Sequence, residues 1–101
     1  MVLDIIIVNW NSGNFLVKCI QSLFIEKNDL NIGKVFIIDN NSSDNSLDKI
    51  LQNNKIEIIR NNENKGFAKA ANQGFRLSKA PYVLLLNPDT RLLNSTLKDC
   101  V

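Results

Sequence analysis

The chain has 101 residues, the size of one domain, and its 45% hydrophobic and 22% charged content is that of a globular protein rather than a disordered or fibrous one. A net charge of +2 is too small and too evenly spread to point to nucleic acid, and the lack of histidine excludes His general-base catalysis, Ser–His triads and His-ligated zinc within this chain. No apolar run is long enough to cross a bilayer and no leader pattern opens the sequence. With two widely separated cysteines, Cys19 and Cys100, the chain reads as a cytoplasmic domain with reduced, packed thiols.

Leu3–Val8 reads as a strand buried on both faces, closed by Asn9, Trp10 and Asn11. A helix is predicted from near Ser12, with Phe15 or Leu16, Cys19, Ile20 and Leu23 at helical spacing and Gly33 as the turn residue after it. Val35–Asp39 is a second buried strand. Ser43 or Asp44 then caps a predicted short helix whose inner face is Leu47, Ile50 and Leu51. Ile56–Ile59 is a third strand, and a polar loop follows over 60–65. Phe67, Ala70, Ala71, Gly74 and Phe75 mark the inner face of a further helix, Pro81 follows its end, and Tyr82–Leu86 is a fourth strand. A last helix is expected to begin near Asn94 or Ser95.

This alternation of two-faced apolar strands with helices predicts an α/β fold: a doubly wound parallel sheet, Rossmann-like, with helices on both faces and right-handed crossovers, in one domain over 1–101. Ligands of such sheets bind beyond the carboxyl ends of the strands. The four strand exits are rich in Asn, Asp and Ser, and they carry Trp10, Asp39 and Asp89. Turn chemistry accounts for part of that polarity, but not for a tryptophan and two strand-end aspartates on one rim. Neither G-x-G-x-x-G nor a P-loop is present, so a dinucleotide fingerprint is missing. A nucleotide is still accommodated if an aromatic stacks on the base, a carboxylate reads base or ribose, and a cation neutralises the diphosphate. Trp10, Asp39 and Asp89 can fill those three parts. Each also has a plainer reading, as packing at a sheet end for Trp10 and as turn formers for the aspartates.

Four segments in order resemble the family 2 glycosyltransferases, and among them the rhamnosyltransferase-like branch. They are Ile-Val-Asn-Trp-Asn at 7–11, Ile-Asp-Asn-Asn-Ser-Ser-Asp at 38–44, Asn-Lys-Gly-Phe-Ala-Lys-Ala-Ala-Asn-Gln-Gly at 64–74 and Leu-Leu-Leu-Asn-Pro-Asp-Thr at 84–90. The resemblance implies a GT-A fold whose N-terminal half binds a nucleotide-diphosphate sugar, here a UDP- or dTDP-sugar, for transfer to a glycan or lipid-linked acceptor. It places Asn9, Trp10 and Asn11 at the nucleoside, Asp39 at the base, and Lys65 and Gly66 beside the donor. Asn87 takes the first position of the D-x-D motif, and Asp89 becomes the one carboxylate for a divalent Mg²⁺ or Mn²⁺. The resemblance also implies that the catalytic base follows Val101. The chain is further expected to reach the inner face of the membrane through partners, and to self-associate where the fourth strand leaves an unpaired edge. A non-catalytic nucleotide-binding remnant and an unrelated flavodoxin-like domain are the competing readings.

Overall fold

The computed structural model describes residues 2–25, 31–48, 50 and 54–88. The elements run β1 (Val2–Asn9), α1 (Phe15–Ile25), β2 (Asn31–Asp39), β3 (Ile56–Arg60), α2 (Phe67–Leu77) and β4 (Tyr82–Leu86). The four strands form one wholly parallel sheet in the order β3-β2-β1-β4, the α/β architecture expected. The chain moves outward from β1 through β2 to β3, then returns across the sheet to place β4 on the other side of β1. Because crossovers keep one hand, reversing direction places the intervening helix on the opposite face.

Strand alternation divides the core accordingly. Leu3, Ile5 and Ile7 pack with Val35, Ile37 and the α1 residues Leu16, Cys19, Ile20 and Leu23. Ile6 and Val8 pack with Phe36 and Ile38 against Ala70 and Ala71 of α2. Both faces of β1 and β2 are thus covered, which is why these strands are apolar at successive positions.

Three local expectations are corrected. Gly33 lies inside β2 rather than in a turn. The β1–β2 register slips between Leu3–Ile32 and Ile5–Val35, and Asp4 accepts the Lys34 backbone N–H at 2.8 Å beside this bulge. A bulge re-aims one stretch of strand without ending it, and glycine suits both roles. The predicted helix after Asp44 is replaced among the described residues by successive turns, Asp48 N–H to Asn45 carbonyl at 3.0 Å and Ile50 N–H to Leu47 carbonyl at 3.2 Å. Leu47 and Ile50 still join the core, while Leu51 lies outside the described residues. The helix expected near Asn94 also lies outside them.

The third correction concerns α2. Its inner seam is Ala70, Ala71 and Gly74, whereas Phe67 and Phe75 are 52% and 43% exposed. The cause is close approach: a Cβ on Gly74 would stand 2.6 Å from Ile6 Cγ2, with two further Ile6 carbons at 2.9 Å. A helix seated this near the sheet has no room for rings beneath it. No helix among the described residues is long and apolar enough to cross a membrane.

Gly74→Ala pits overpacking, about 1–3 kcal/mol, against a helix-propensity gain of about 1 kcal/mol. Since Ile6 is fully buried and the nearest atom is its branch methyl, overpacking wins. The expected outcome is a loss of about 1–2 kcal/mol, read as a lower urea midpoint at unchanged slope. A raised midpoint would show that α2 can lift from the sheet without cost.

Candidate functional site

The return of the chain across the sheet makes a switch point between β1 and β4, and a cleft of about 430 Å³ opens there at the carboxyl ends of the strands. Val8, Trp10 and Ser12 line it from the β1 exit, Phe15 from the start of α1, and Asn40 from the β2 exit. Asn64 and Phe67 line it from the approach to α2, and Asn87 and Pro88 from the β4 exit. Three aromatic rings and three asparagines therefore share its lining, and Trp10 is 56% exposed. Ordinary packing would bury such rings; an open cleft walled by them suits a flat, partly apolar ligand.

Behind the cleft a polar network fixes the strand exits. The β1–β2 register sets Asn9 beside Asp39 on the α1 face of the sheet. Asn9 is 0% exposed and its Nδ2 donates to Asp39 Oδ1 at 2.8 Å, with the hydroxyls of Ser46 at 3.0 Å and Ser42 at 3.2 Å also in reach. Asn9 Oδ1 accepts from the Ser12 hydroxyl. Asp39, 4% exposed, also accepts from the Ser42 hydroxyl on Oδ1 at 2.7 Å and from the Ser42 N–H on Oδ2 at 3.0 Å. Three acceptor positions of its carboxylate are filled within the protein, leaving one on Oδ2. The sequence reading set Asn9 against a nucleoside. In the structure its amide is committed to holding Asp39 and Ser12, and it is Trp10, one residue on, that borders the cleft.

Asn11 takes a left-handed conformation (φ 49°), tolerated by asparagine, and its Oδ1 accepts the N–H groups of Ser43 at 2.8 Å and Asp44 at 3.2 Å. Its role here is to tie the β1 exit to the loop after β2. Asp44 completes that tie by accepting the Gly13 N–H at 2.9 Å. Its carboxyl is held below the ordinary aspartate range, chiefly by the Ser46 hydroxyl at 2.6 Å and further by the backbone N–H groups of Ser46 and Gly13.

On the α2 face, Lys65 and Gly66 are brought to the β2 exit through Asn40. Asn40 Oδ1 accepts the Lys65 N–H at 3.3 Å, and Asn40 Nδ2 donates to the Gly66 carbonyl at 3.2 Å. Gly66 precedes α2 at φ 85°, ψ 164°, a region almost closed to side-chain-bearing residues, and no side chain caps the helix there. The first-turn N–H groups of α2 thus begin beside the cleft-lining Asn64 and Phe67. Asn87 borders the cleft from β4, its carbonyl facing the Cys19 thiol at 3.8 Å, whereas Asp89 lies outside the described residues. Among the described residues no three His, Cys, Asp or Glu side chains gather as a metal site. Sequence reasoning missed Asn40, Asn64, Phe15 and Phe67 as cleft residues. The two phenylalanines fell at core spacing, and the two asparagines stood at strand exits within the family-like segments 38–44 and 64–74, the one signal that could have found them.

The lowered Asp44 carboxyl contributes stability above its unfolded-state value, and that contribution is lost as pH falls through the folded value. In Ser46→Ala the largest lowering cause is gone, so the Asp44 midpoint in a carboxyl-carbon NMR titration should rise toward the ordinary aspartate value. An unchanged midpoint would assign the effect to the backbone donors instead.

A sequence model of glycosyl transferase family 2 matches residues 4–101. Glycosyltransferase GlyG of Streptococcus pneumoniae serotype 4 is 24% identical over 91 residues, which is 86% of this chain and 30% of that protein. Poly-beta-1,6-N-acetyl-D-glucosamine synthase of Staphylococcus aureus (strain COL) is 38% identical over 60 residues, 56% of this chain and 15% of that one. The crystal structure of S. aureus TarS 1-349 in complex with UDP-GlcNAc shares the fold, with a TM-score of 0.82 at 22% identity over 99% of this chain and 30% of that one. The chain spans less than a third of the length of each. With the parallel sheet, the switch-point cleft and a sequence match over nearly its full length, the chain belongs to glycosyl transferase family 2.

Proposed function

We propose that this chain forms the donor-binding part of a glycosyltransferase that takes a UDP- or dTDP-sugar and transfers the sugar to a glycan or lipid-linked acceptor. The observation that carries the reading is the aromatic-walled cleft at the switch point, with Trp10 at its edge. The base lies against Trp10; Asp39, 4% exposed and outside the cleft lining, keeps one acceptor position on Oδ2 as the proposed partner of a base N–H. The diphosphate lies toward Lys65, Gly66 and the uncapped start of α2, where a positive partial charge favours an anion. The fold neighbour solved with UDP-GlcNAc supports the ligand class.

Asp89 is the proposed ligand of a divalent cation, Mg²⁺ or Mn²⁺. With Asn87 in place of a first carboxylate, one protein carboxylate would share the ion with phosphate oxygens. The cation would neutralise charge between the carboxylate and the diphosphate. Asn87-Pro88-Asp89 together with Asn9-Trp10-Asn11 supports a rhamnosyltransferase-like branch. We assign the protein to the cytoplasmic side, reaching the inner face of the membrane through its acceptor and partners. Among the described residues β4 pairs with β1 alone, and Tyr82 is exposed on it, which supports self-association through that edge.

Trp10 is the sole tryptophan, so its emission reports the cleft without interference. Titration with UDP and dTDP in Mn²⁺ should quench it, ADP should not, and Trp10→Ala should weaken binding roughly tenfold, since base–aromatic stacking contributes about 1–3 kcal/mol. EDTA and Asp89→Ala should each weaken the diphosphate. Binding by calorimetry with unchanged Trp10 emission would place the nucleotide elsewhere. Light scattering should show mass rising with concentration; a constant monomer mass removes the self-association.

A further inference from the structure

We infer that Gln73, Asn61 and Asn40 form an amide relay that positions the phosphate-side wall of the cleft, so that Asn61 and Gln73 govern diphosphate affinity without touching the ligand. The inference rests on the donor-binding reading above. Asn61 and Gln73 exchange reciprocal hydrogen bonds, Asn61 Nδ2 to Gln73 Oε1 at 2.8 Å and Gln73 Nε2 to Asn61 Oδ1 at 2.9 Å. Neither residue lines the cleft. The pair fixes the two amides relative to each other, because any single flip would set donor against donor or acceptor against acceptor, and the Asn40 oxygen selects which joint arrangement is taken.

With Asn61 so oriented, its Nδ2 also meets Asn40 Oδ1 at 3.1 Å. Asn40 is itself oriented by the backbone, its oxygen accepting the Lys65 N–H and its Nδ2 donating to the Gly66 carbonyl, and the Asn61 contact braces that oxygen from the other side. Asn40 therefore grips the segment before α2 by both a donor and an acceptor. The Gly66 N–H is held in turn by Asn64 Oδ1 at 2.8 Å. Asn40, Asn64 and Phe67 are cleft walls, so the relay runs from the middle of α2, through the β3 exit, to the ligand side. Removing a relay amide takes away the side-chain brace on Asn40 and so loosens its grip on the 64–67 wall. Asn40 is tied to β1 by its backbone N–H on the Asn9 carbonyl at 2.8 Å, a bond that truncating the Asn61 or Gln73 side chain leaves in place, so Trp10 keeps its setting.

The test compares UDP with uridine, each titrated against Trp10 emission in Mn²⁺, for the wild-type chain and for Asn61→Ala, Gln73→Ala and the double variant. UDP affinity should fall roughly tenfold in each single variant, the scale of one lost hydrogen bond, while uridine affinity stays within about twofold. The double variant should be no worse than either single one, since both act through one path. Gln73 is half-exposed on α2, so Gln73→Ala gives the answer even if Asn61→Ala fails to fold. Equal losses for UDP and uridine, or unchanged UDP binding in Gln73→Ala, would overturn the relay while leaving the donor site standing. A wild-type chain that binds neither compound would overturn the donor-binding reading, and the relay with it.

Discussion

The parallel register that sets Asn9 opposite Asp39 is the constraint on which the ligand-facing end of this molecule depends. Neighbouring residues of parallel strands on one face come within hydrogen-bond reach, and here they are an amide and a carboxylate buried together. A buried carboxylate left unpaired would cost on the order of 1–3 kcal/mol or more. Ser42, Ser46 and Ser12 join the same cluster, and no buried side-chain nitrogen or oxygen among the described residues lacks a partner. The ladder continues past the strands, since Asn40 N–H reaches the Asn9 carbonyl and Asn61 N–H the Asp39 carbonyl, both at 2.8 Å. Three strand exits are thereby held level.

Alternation along β2 then divides the work between two adjacent residues. Asp39 faces the α1 side and organises the turn after β1 and the loop over 42–46. Asn40 faces the α2 side and organises the approach to α2. The cleft opens between these two arrangements, where β4 crosses to the far side of β1. Its walls are therefore set by rigid strand ends rather than by the loops alone. Gly74 contributes from a distance: by letting α2 settle on Ile6 it fixes the helix whose start borders the cleft.

Much of the architecture was legible in the residues. Apolar runs at 3–8, 35–39, 56–59 and 82–86 located the four described strands, most plainly β1 and β2, which are buried on both faces and need apolar residues at successive positions. The helices α1 and α2 followed from their spacing. The failures have physical causes. Phe67 and Phe75 fell at core spacing, but only contact distances show that α2 lies too close to the sheet to cover rings. The segment after Asp44 had helical spacing at Leu47 and Ile50, yet Asp44 and Ser46 spend their side chains on a turn that joins the β1 exit.

By itself the sequence determined the fold class, the order of the elements and the rim on which polar chemistry gathers, because these follow from local periodicity and from the direction of parallel strands. The family, too, was readable from four motifs in order. Only the tertiary structure decided which residues of that rim border the cleft. Asn9 and Trp10 are adjacent and equally polar-edged in the sequence, yet one is sealed behind Asp39 and the other borders the cleft. The roles of Asn40, Asn61 and Gln73 likewise depend on register and helix seating, through contacts between residues 12 and 21 positions apart. Hydrogen-bond partners that distant are set by packing, and no local pattern encodes them.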